Sequence, residues 1–314
     1  MALLRRYTRG VLDDPGLSRV GAHAPIFIVG CSRAGTTVCQ SILSQSSDLA
    51  GFPEANLLYL LAGDLDARRF GTERRRVIHG VLRRVNECGF QIGRSRQIRQ
   101  RMRRLLKTVG RPELIPQIPR TVFRIQTIFS AFSQIMNAAS DGRRWIEKSP
   151  QNVFILDVIT RYLPDAQFVH VIRDERDNIA SLRDAALRFP NFSRRFGGAD
   201  GLARAVAFWN QAVLCSAAWR GLPNHVFLRY EDLCRDPETT MRSVCDELRV
   251  RFTPDMLGYR TEGIVRPRET WKESSVEIRQ SASKFGTLFT PEEQQYVIAQ
   301  SLKADALFPL RLAS

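Results

Sequence analysis

No stretch of the sequence approaches the ~18–20 consecutive apolar residues of a membrane-spanning helix. The start, MALLRRYTRGVLDDPG, lacks the apolar h-region of a secretory signal. Both absences lead to the expectation of a cytoplasmic protein. The six cysteines (31, 39, 88, 215, 234 and 245) include no CxxC pair and no His/Cys cluster with zinc spacing. They are expected to be reduced thiols, three of them small hydrophobes on apolar helix faces. Lysine occurs only at 107, 148, 272, 284 and 303, so arginine carries nearly all of the +15 net charge. A basic surface suits nucleic acid, an anionic membrane or a polyanionic small ligand, and charge by itself does not choose.

What is present is an ordinary globular composition, 44% apolar and 25% charged in 314 residues, enough for one large α/β domain or two small ones. The chain is organised around residues 25–43, PIFIVGCSRAGTTVCQSIL. Pro25 to Val29 reads as a buried strand, Gly30 to Gly35 as a loop, and Thr36 onward as a helix with apolar spacing. A strand feeding a helix through such a loop aims backbone N–H groups and the positive helix end at one point, a geometry that suits a phosphate. The pattern G-x-x-x-x-G-T-T nearly matches the nucleotide P-loop, but Thr36 stands where that motif requires lysine. The nearest cation is Arg33, within the loop.

Further along, residues 48–53 allow only a brief second strand, after which Glu54 precedes the apolar helical run Ala55–Leu61. Residues 64–140 interleave arginine clusters with apolar residues at helical spacing. The run RSRQIRQRMRRLL (94–106) can be read as a nucleic-acid-binding helix, but it is poor in aromatic stacking residues and is read as a solvated face. Trp145–Glu147 is a short strand followed by Lys148. Ser149 and Pro150 make an N-cap and first-turn pair for a helix over Asn152–Tyr162. Gln167–Ile172 is the clearest buried strand; it ends in Arg173-Asp174, and a helix follows from Glu175 to about Leu187, with Ser181 two turns in. His225–Arg229 is a further strand, leading into Tyr230-Glu231-Asp232-Leu233. Asp236-Pro237, Thr253-Pro254 and Thr290-Pro291 each start a helix, the last completing a capping box with Glu293.

These motifs carry a resemblance. The loop with Arg33-Ala34-Gly35-Thr36-Thr37 resembles the 5′-phosphosulfate loop of sulfotransferases that use 3′-phosphoadenosine-5′-phosphosulfate (PAPS). Residues 173–181 resemble the family's 3′-phosphate motif, held by its strand-end Arg and helical Ser. EKSPQNVFILDVITRYLPDAQFVHVIRD (147–174) is similar to the carboxylate-dependent branch, which includes tyrosylprotein and many bacterial sulfotransferases. Residues 229–233 resemble its R-Y-E-D-L turn. The match covers about 25–60 and 144–300.

The resemblance implies an α/β, P-loop-type three-layer fold with a parallel sheet of about five strands and an inserted helical cap at 64–140. Residues 1–24 would be a tail and 25–314 one sulfotransferase domain. It implies transfer of a sulfuryl group from PAPS to a hydroxyl in one in-line step, leaving PAP. Arg33, Ala34, Gly35, Thr36, Thr37, Arg173, Ser181 and Tyr230 would bind the nucleotide, with Ser274 and Arg279 in a poorly matched closing loop. Many cytosolic members use a histidine base. Here His170 and His225 fall in strands, His79 in the cap region and His23 in the tail, so Glu54 matches the catalytic glutamate instead. Its bland alternative is a helix N-terminal acid. Lys148 matches the lysine assigned to the leaving group. Ala34 replaces the family's usual Ser, and Cys31 adds a thiol.

No metal is expected, no nucleic-acid partner and no transmembrane segment. Sugar, lipid, natural product and tyrosine all remain open as acceptors, and the oligomeric state is equally open. The alternatives are a P-loop nucleotide kinase, disfavoured by the missing lysine after Gly35, and a basic nucleic-acid-binding protein, which leaves Arg173 and Ser181 unexplained.

Overall fold

The computed structural model describes residues 24–61, 95–120, 125–258, 278 and 283–310. Its centre is a parallel sheet of β1 (Ile26–Gly30), β2 (Leu49–Phe52), β3 (Arg144–Lys148), β4 (Gln167–Ile172) and β5 (His225–Arg229), ordered β2-β3-β1-β4-β5. After β1 comes α1 (Thr36–Leu43), and after β2 comes α2 (Leu57–Leu61). Helices α3 (Ser95–Thr108) and α4 (Ile125–Ala139) precede β3, and α5 (Leu156–Tyr162) links β3 to β4. Between β4 and β5 run α6 (Glu175–Arg188), α7 (Pro190–Phe196) and α8 (Gly201–Ala217). Beyond β5 follow α9 (Tyr230–Arg235), α10 (Pro237–Leu248), α11 (Phe285–Leu288), α12 (Pro291–Gln300) and α13 (Ala304–Leu307). The expected α/β fold with five parallel strands is the observed one.

The strands are apolar on both faces because helices cover both, and β1, β3 and β4 are buried at every residue. Phe27 of β1 stands edge-on to Trp145 at 5.4 Å and stacks on Phe168 at 5.6 Å, so one ring locks three adjacent strands. Helix α4 packs its apolar face here, Phe132 meeting Trp145 at 5.7 Å while the indole Nε1 donates to Asn137 Oδ1 at 2.7 Å. At the sheet's N-terminal edge the buried Arg144 donates to the carbonyls of Ala24 and Leu248, each at 2.9 Å, and to Gln167 Oε1. Ala24, the last residue of the expected tail, is thus buried; residues 1–23 lie outside the described residues.

The chain order places the reversal of strand order between β1 and β4, the crevice where open α/β sheets bind ligands. Two caps aim into it: Gly35 precedes α1, and Asp174 caps α6 by accepting from the amides of Arg176 and Asp177. Asp236 and Thr290 cap as expected, the latter with Glu293. Ser149 differs from the expectation. A 3₁₀ segment (Pro150–Ile155) comes first, α5 starts only at Leu156, and the Ser149 side chain caps nothing. Its hydroxyl donates to Glu147 and accepts from the Asn56 amide instead.

His170 and His225 are structural, as their strand positions implied. Their Nε2 and Nδ1 share a hydrogen bond at 2.9 Å, and rings of Phe168, Phe227 and Trp219 stack on them. Burial holds both imidazoles neutral, His170 well below its ordinary pKa and His225 at about 3. The unfolded imidazole, at ~6.5, takes its proton first. Stability contributed by the pair is therefore complete above about pH 6.5 and lost as the pH falls toward 3. Thermal unfolding between pH 7 and pH 4 should show this slope, up to ~1.4 kcal/mol per pH unit per imidazole. His225→Phe, which retains the stack and cannot be protonated, should remove about half of it and leave the His170 share; an unchanged slope would assign the acid sensitivity elsewhere.

Candidate active site

Gly30 ends β1 at φ 147°, and a Cβ there would stand 2.4 Å from the Val171 carbonyl oxygen. That absence of side chain lets the loop 31–35 leave the sheet directly over β4. Arg33 sits in the left-handed region at φ 73°, a strained backbone for a side chain, held by three long-range contacts. Its Nε donates to Ser181 Oγ at 3.3 Å, and its carbonyl accepts from Arg173 Nη1 at 3.3 Å. Asn178 Nδ2 donates to the neighbouring Ser32 carbonyl at 3.0 Å. Gly35, at φ 99°, presses on the Tyr230 ring so closely that a Cβ would lie 2.3 Å from it. The Arg173 guanidinium also lies over the Tyr230 ring, 4.9 Å from its centroid.

Two motifs about 140 positions apart thereby become one cluster, Arg33, Arg173, Ser181 and Tyr230. Burial and the neighbouring Arg173 cation lower the Arg33 pKa, a like-charge pressure that a bound anion relieves. The first turn of α1, with Thr36 and Thr37, adds backbone donors there, and it carries no acid and no side-chain cap. Ala34 is fully buried, so its missing hydroxyl is replaced by packing. The Cys31 thiol accepts from Asn178 at 3.3 Å, and burial pushes it up to about 12, an inert structural thiol.

The second cluster lies on the other side of β1. Gln40 of α1 donates to the Phe52 carbonyl at 2.7 Å, fixing the end of β2, and the chain turns at Pro53 to present Glu54. Lys148, in register with Ile28 of β1, reaches Glu54 Oε2 at 2.9 Å, while Asn56 Nδ2 holds Oε1 at 2.6 Å. Lys148 is 2% exposed and Glu54 15%, so this ion pair is largely shielded from bulk water. Glu54 thus sits in a turn ahead of α2, bonded to a lysine at the end of β3, the strand paired with β2. Ser274 and Arg279 lie outside the described residues, as do His23 and His79.

Sequence reading passed over Glu147, Asn178 and Glu231. Glu231 accepts from the Asp174 amide at 2.7 Å and from Arg229 Nε at 3.0 Å, tying the ends of β4 and β5 together. Asn178 lies one helical turn before Ser181, inside the motif already singled out. Among the described residues no group of three or more His, Cys, Asp or Glu could hold a metal ion, and no helix is long and apolar enough to cross a membrane.

The sequence profile of the sulfotransferase family matches residues 25–254, which contain both clusters. The chain belongs to the sulfotransferase family. It is an enzyme, a sulfotransferase. Among solved structures, this sulfotransferase is similar to the sulfotransferase domain of the curacin biosynthetic pathway, with TM-score 0.58 and 18% identity over 88% of this chain and 96% of that one. The sulfotransferase domain of the Synechococcus PCC 7002 olefin synthase gives 0.56 and 18% over 90% and 98%. A Mycobacterium avium sulfotransferase gives 0.50 and 15% over 98% and 82%. At these identities the likeness speaks for the fold. No curated protein sequence matches this sulfotransferase.

The first cluster is open to a direct test with PAP. Arg173→Ala should weaken PAP binding by ~1.5–3 kcal/mol, the scale of a charge-assisted hydrogen bond, and Ser181→Ala by less. Adenosine 5′-phosphosulfate, without the 3′-phosphate, should bind wild type far more weakly than PAPS. Equal affinities in calorimetry would remove the 3′-phosphate from this cluster.

Proposed function

We propose that this sulfotransferase moves the sulfuryl group of PAPS to an acceptor hydroxyl, with Glu54 as general base. The observation that carries the reading is the assembly of the cationic cluster and the Glu54–Lys148 pair on either side of β1, at one edge of the sheet. The 3′-phosphate falls to Arg173 and Ser181. Arg33, the 34–35 amides and the first turn of α1, with Thr36 and Thr37, hold the 5′ end, and Tyr230 backs Arg173. Ser274 and Arg279 are proposed to close over the nucleotide. Bound PAPS supplies an activated sulfuryl group whose departure leaves charge on a phosphate oxygen.

The side chains divide the remaining work. Both Glu54 oxygens are held by donors, which fixes the carboxylate for accepting the proton of an attacking hydroxyl. Lys148, a buried cation beside it, is placed to balance charge on the departing oxygen. With Arg33 and Lys148 in these roles the reaction is proposed to need no metal, and EDTA should leave initial rates unchanged; loss restored by Mg²⁺ would overturn that.

The acceptor side is assigned to residues 64–140, a cap within one domain at 25–314. Arg101 of α3 supports this, since its Nη1 donates to the Asn56 carbonyl at 3.2 Å, beside Glu54. A sugar, lipid, natural product or tyrosine hydroxyl fits the chemistry, and a mass screen of sulfated acceptors would name it. A reducing cytoplasm is consistent with the five described cysteines being free thiols.

Glu54 decides the mechanism. Glu54→Gln keeps the shape and one acceptor oxygen but takes no proton. Turnover should fall ~10²–10⁴-fold while PAP affinity changes little, because the lost interaction belongs to the transition state. Turnover near wild type would reject the carboxylate base.

A further inference from the structure

A second carboxylate lies beneath the Glu54–Lys148 pair. Glu147, the penultimate residue of β3, is 1% exposed and stands in register with Phe27 on one side and Phe52 on the other. An acid between two apolar strands calls for a reason, since burying it without partners is costly. All its partners belong to the site. Oε1 accepts from Ser149 Oγ and from the Ala55 amide at 3.4 Å, and Oε2 accepts from Asn152 Nδ2 at 2.8 Å. Ser149 Oγ in turn accepts from the Asn56 amide at 3.0 Å. The two amides directly after Glu54 are therefore bonded to one cluster rooted in β3. The turn they belong to is strained, with Asn56 at φ 48°.

We infer that Glu147 is a positioning residue for the reaction: it fastens the turn at 53–56 to the end of β3 and sets the charge around the Glu54–Lys148 pair. The inference rests on Glu54 being the base. The charged groups facing Glu147 among the described residues are Glu54 and Lys148; its other neighbours, Ser149, Asn152, Phe27 and Phe52, are neutral. Burial first, and Glu54 in addition, push the Glu147 carboxyl up to about 7 against the opposing Ser149, Ala55 and Lys148. Its charge therefore changes within the working range of pH. Ionised Glu147 is a second negative charge beside Glu54, and Lys148 offsets the repulsion. Once protonated, Glu147 withdraws that charge. The local structure tolerates both forms, because the buried Asn152 Oδ1, without a hydrogen-bond partner among the described residues, can accept a hydrogen bond from the protonated carboxyl after an amide turn.

The test uses the full chain with PAP bound and ¹³C-carboxyl-labelled glutamate, the two resonances being assigned from Glu54→Gln and Glu147→Gln. Glu147→Gln keeps the shape and, with Asn152 turned, every hydrogen bond. In Glu54→Gln the Glu147 midpoint should fall by roughly half a pH unit or more, because the Glu54 charge that raises it is gone. Ser149→Ala should speed amide exchange at Asn56 at least tenfold with PAP affinity unchanged. A Glu147 midpoint that ignores Glu54→Gln, or Asn56 exchange that ignores Ser149→Ala, would overturn the inference. Should Glu147→Gln fail to fold, the Glu147 midpoint in Glu54→Gln and the exchange in Ser149→Ala decide by themselves. Failure of the base reading shows separately, as near-normal turnover in Glu54→Gln.

Discussion

Backbone clearance at the ends of β1 and β4 is the constraint on which the rest of this structure depends. The loop after β1 crosses over β4 only because Gly30 leaves room for the Val171 carbonyl, and it packs on Tyr230 only because Gly35 has no side chain. With that crossing in place, the Arg33 carbonyl and side chain fall within reach of Arg173 and Ser181. Any side chain at either glycine forces apart Arg33 on the one hand and Arg173, Ser181 and Tyr230 on the other.

The electrostatics of that site run against folding and are held by its surroundings. Arg33 and Arg173 repel each other in a partly buried crevice, and Arg33 occupies a left-handed backbone as well. The opposing contacts lie a few residues away: Asp174 caps α6, Glu231 accepts from the Asp174 amide, and Arg229 binds Glu231, Asp305 and the Phe308 carbonyl. Strain concentrated at a ligand site and supported by an outer ring of satisfied groups is the usual form of preorganisation for an anion.

The Glu54–Lys148 pair is built by a different device. Lys148 and Glu147 are successive residues of one strand, both buried, and their side chains meet the same turn after β2, Lys148 at the Glu54 carboxylate and Glu147 at the Ala55 amide. Lys148 and Asn56 engage both oxygens of Glu54, and Glu147 holds the backbone behind it. This is a common way to fix a titratable group in position while leaving its charge adjustable.

The sequence by itself determined the sheet, the phosphate loop and the strand-end arginine. Apolar runs of strand length, punctuated by Gly30, Lys148 and Arg173, admit few other readings, and glycine at a close approach leaves a mark in the order of residues. Local capping was legible at Asp236 and Thr290 for the same reason, since a cap acts over three residues. Ser149 misled, because a serine before a proline is a cap signal and its hydroxyl was drawn instead to Glu147 and Asn56, one of them more than ninety positions away. Only the tertiary structure decided that Arg33 lies on Ser181, that Lys148 pairs with Glu54, and that Glu147 is buried. Each of these rests on strands placed side by side by packing, and a hydrogen bond across 90 to 150 residues has no periodicity for a sequence to display.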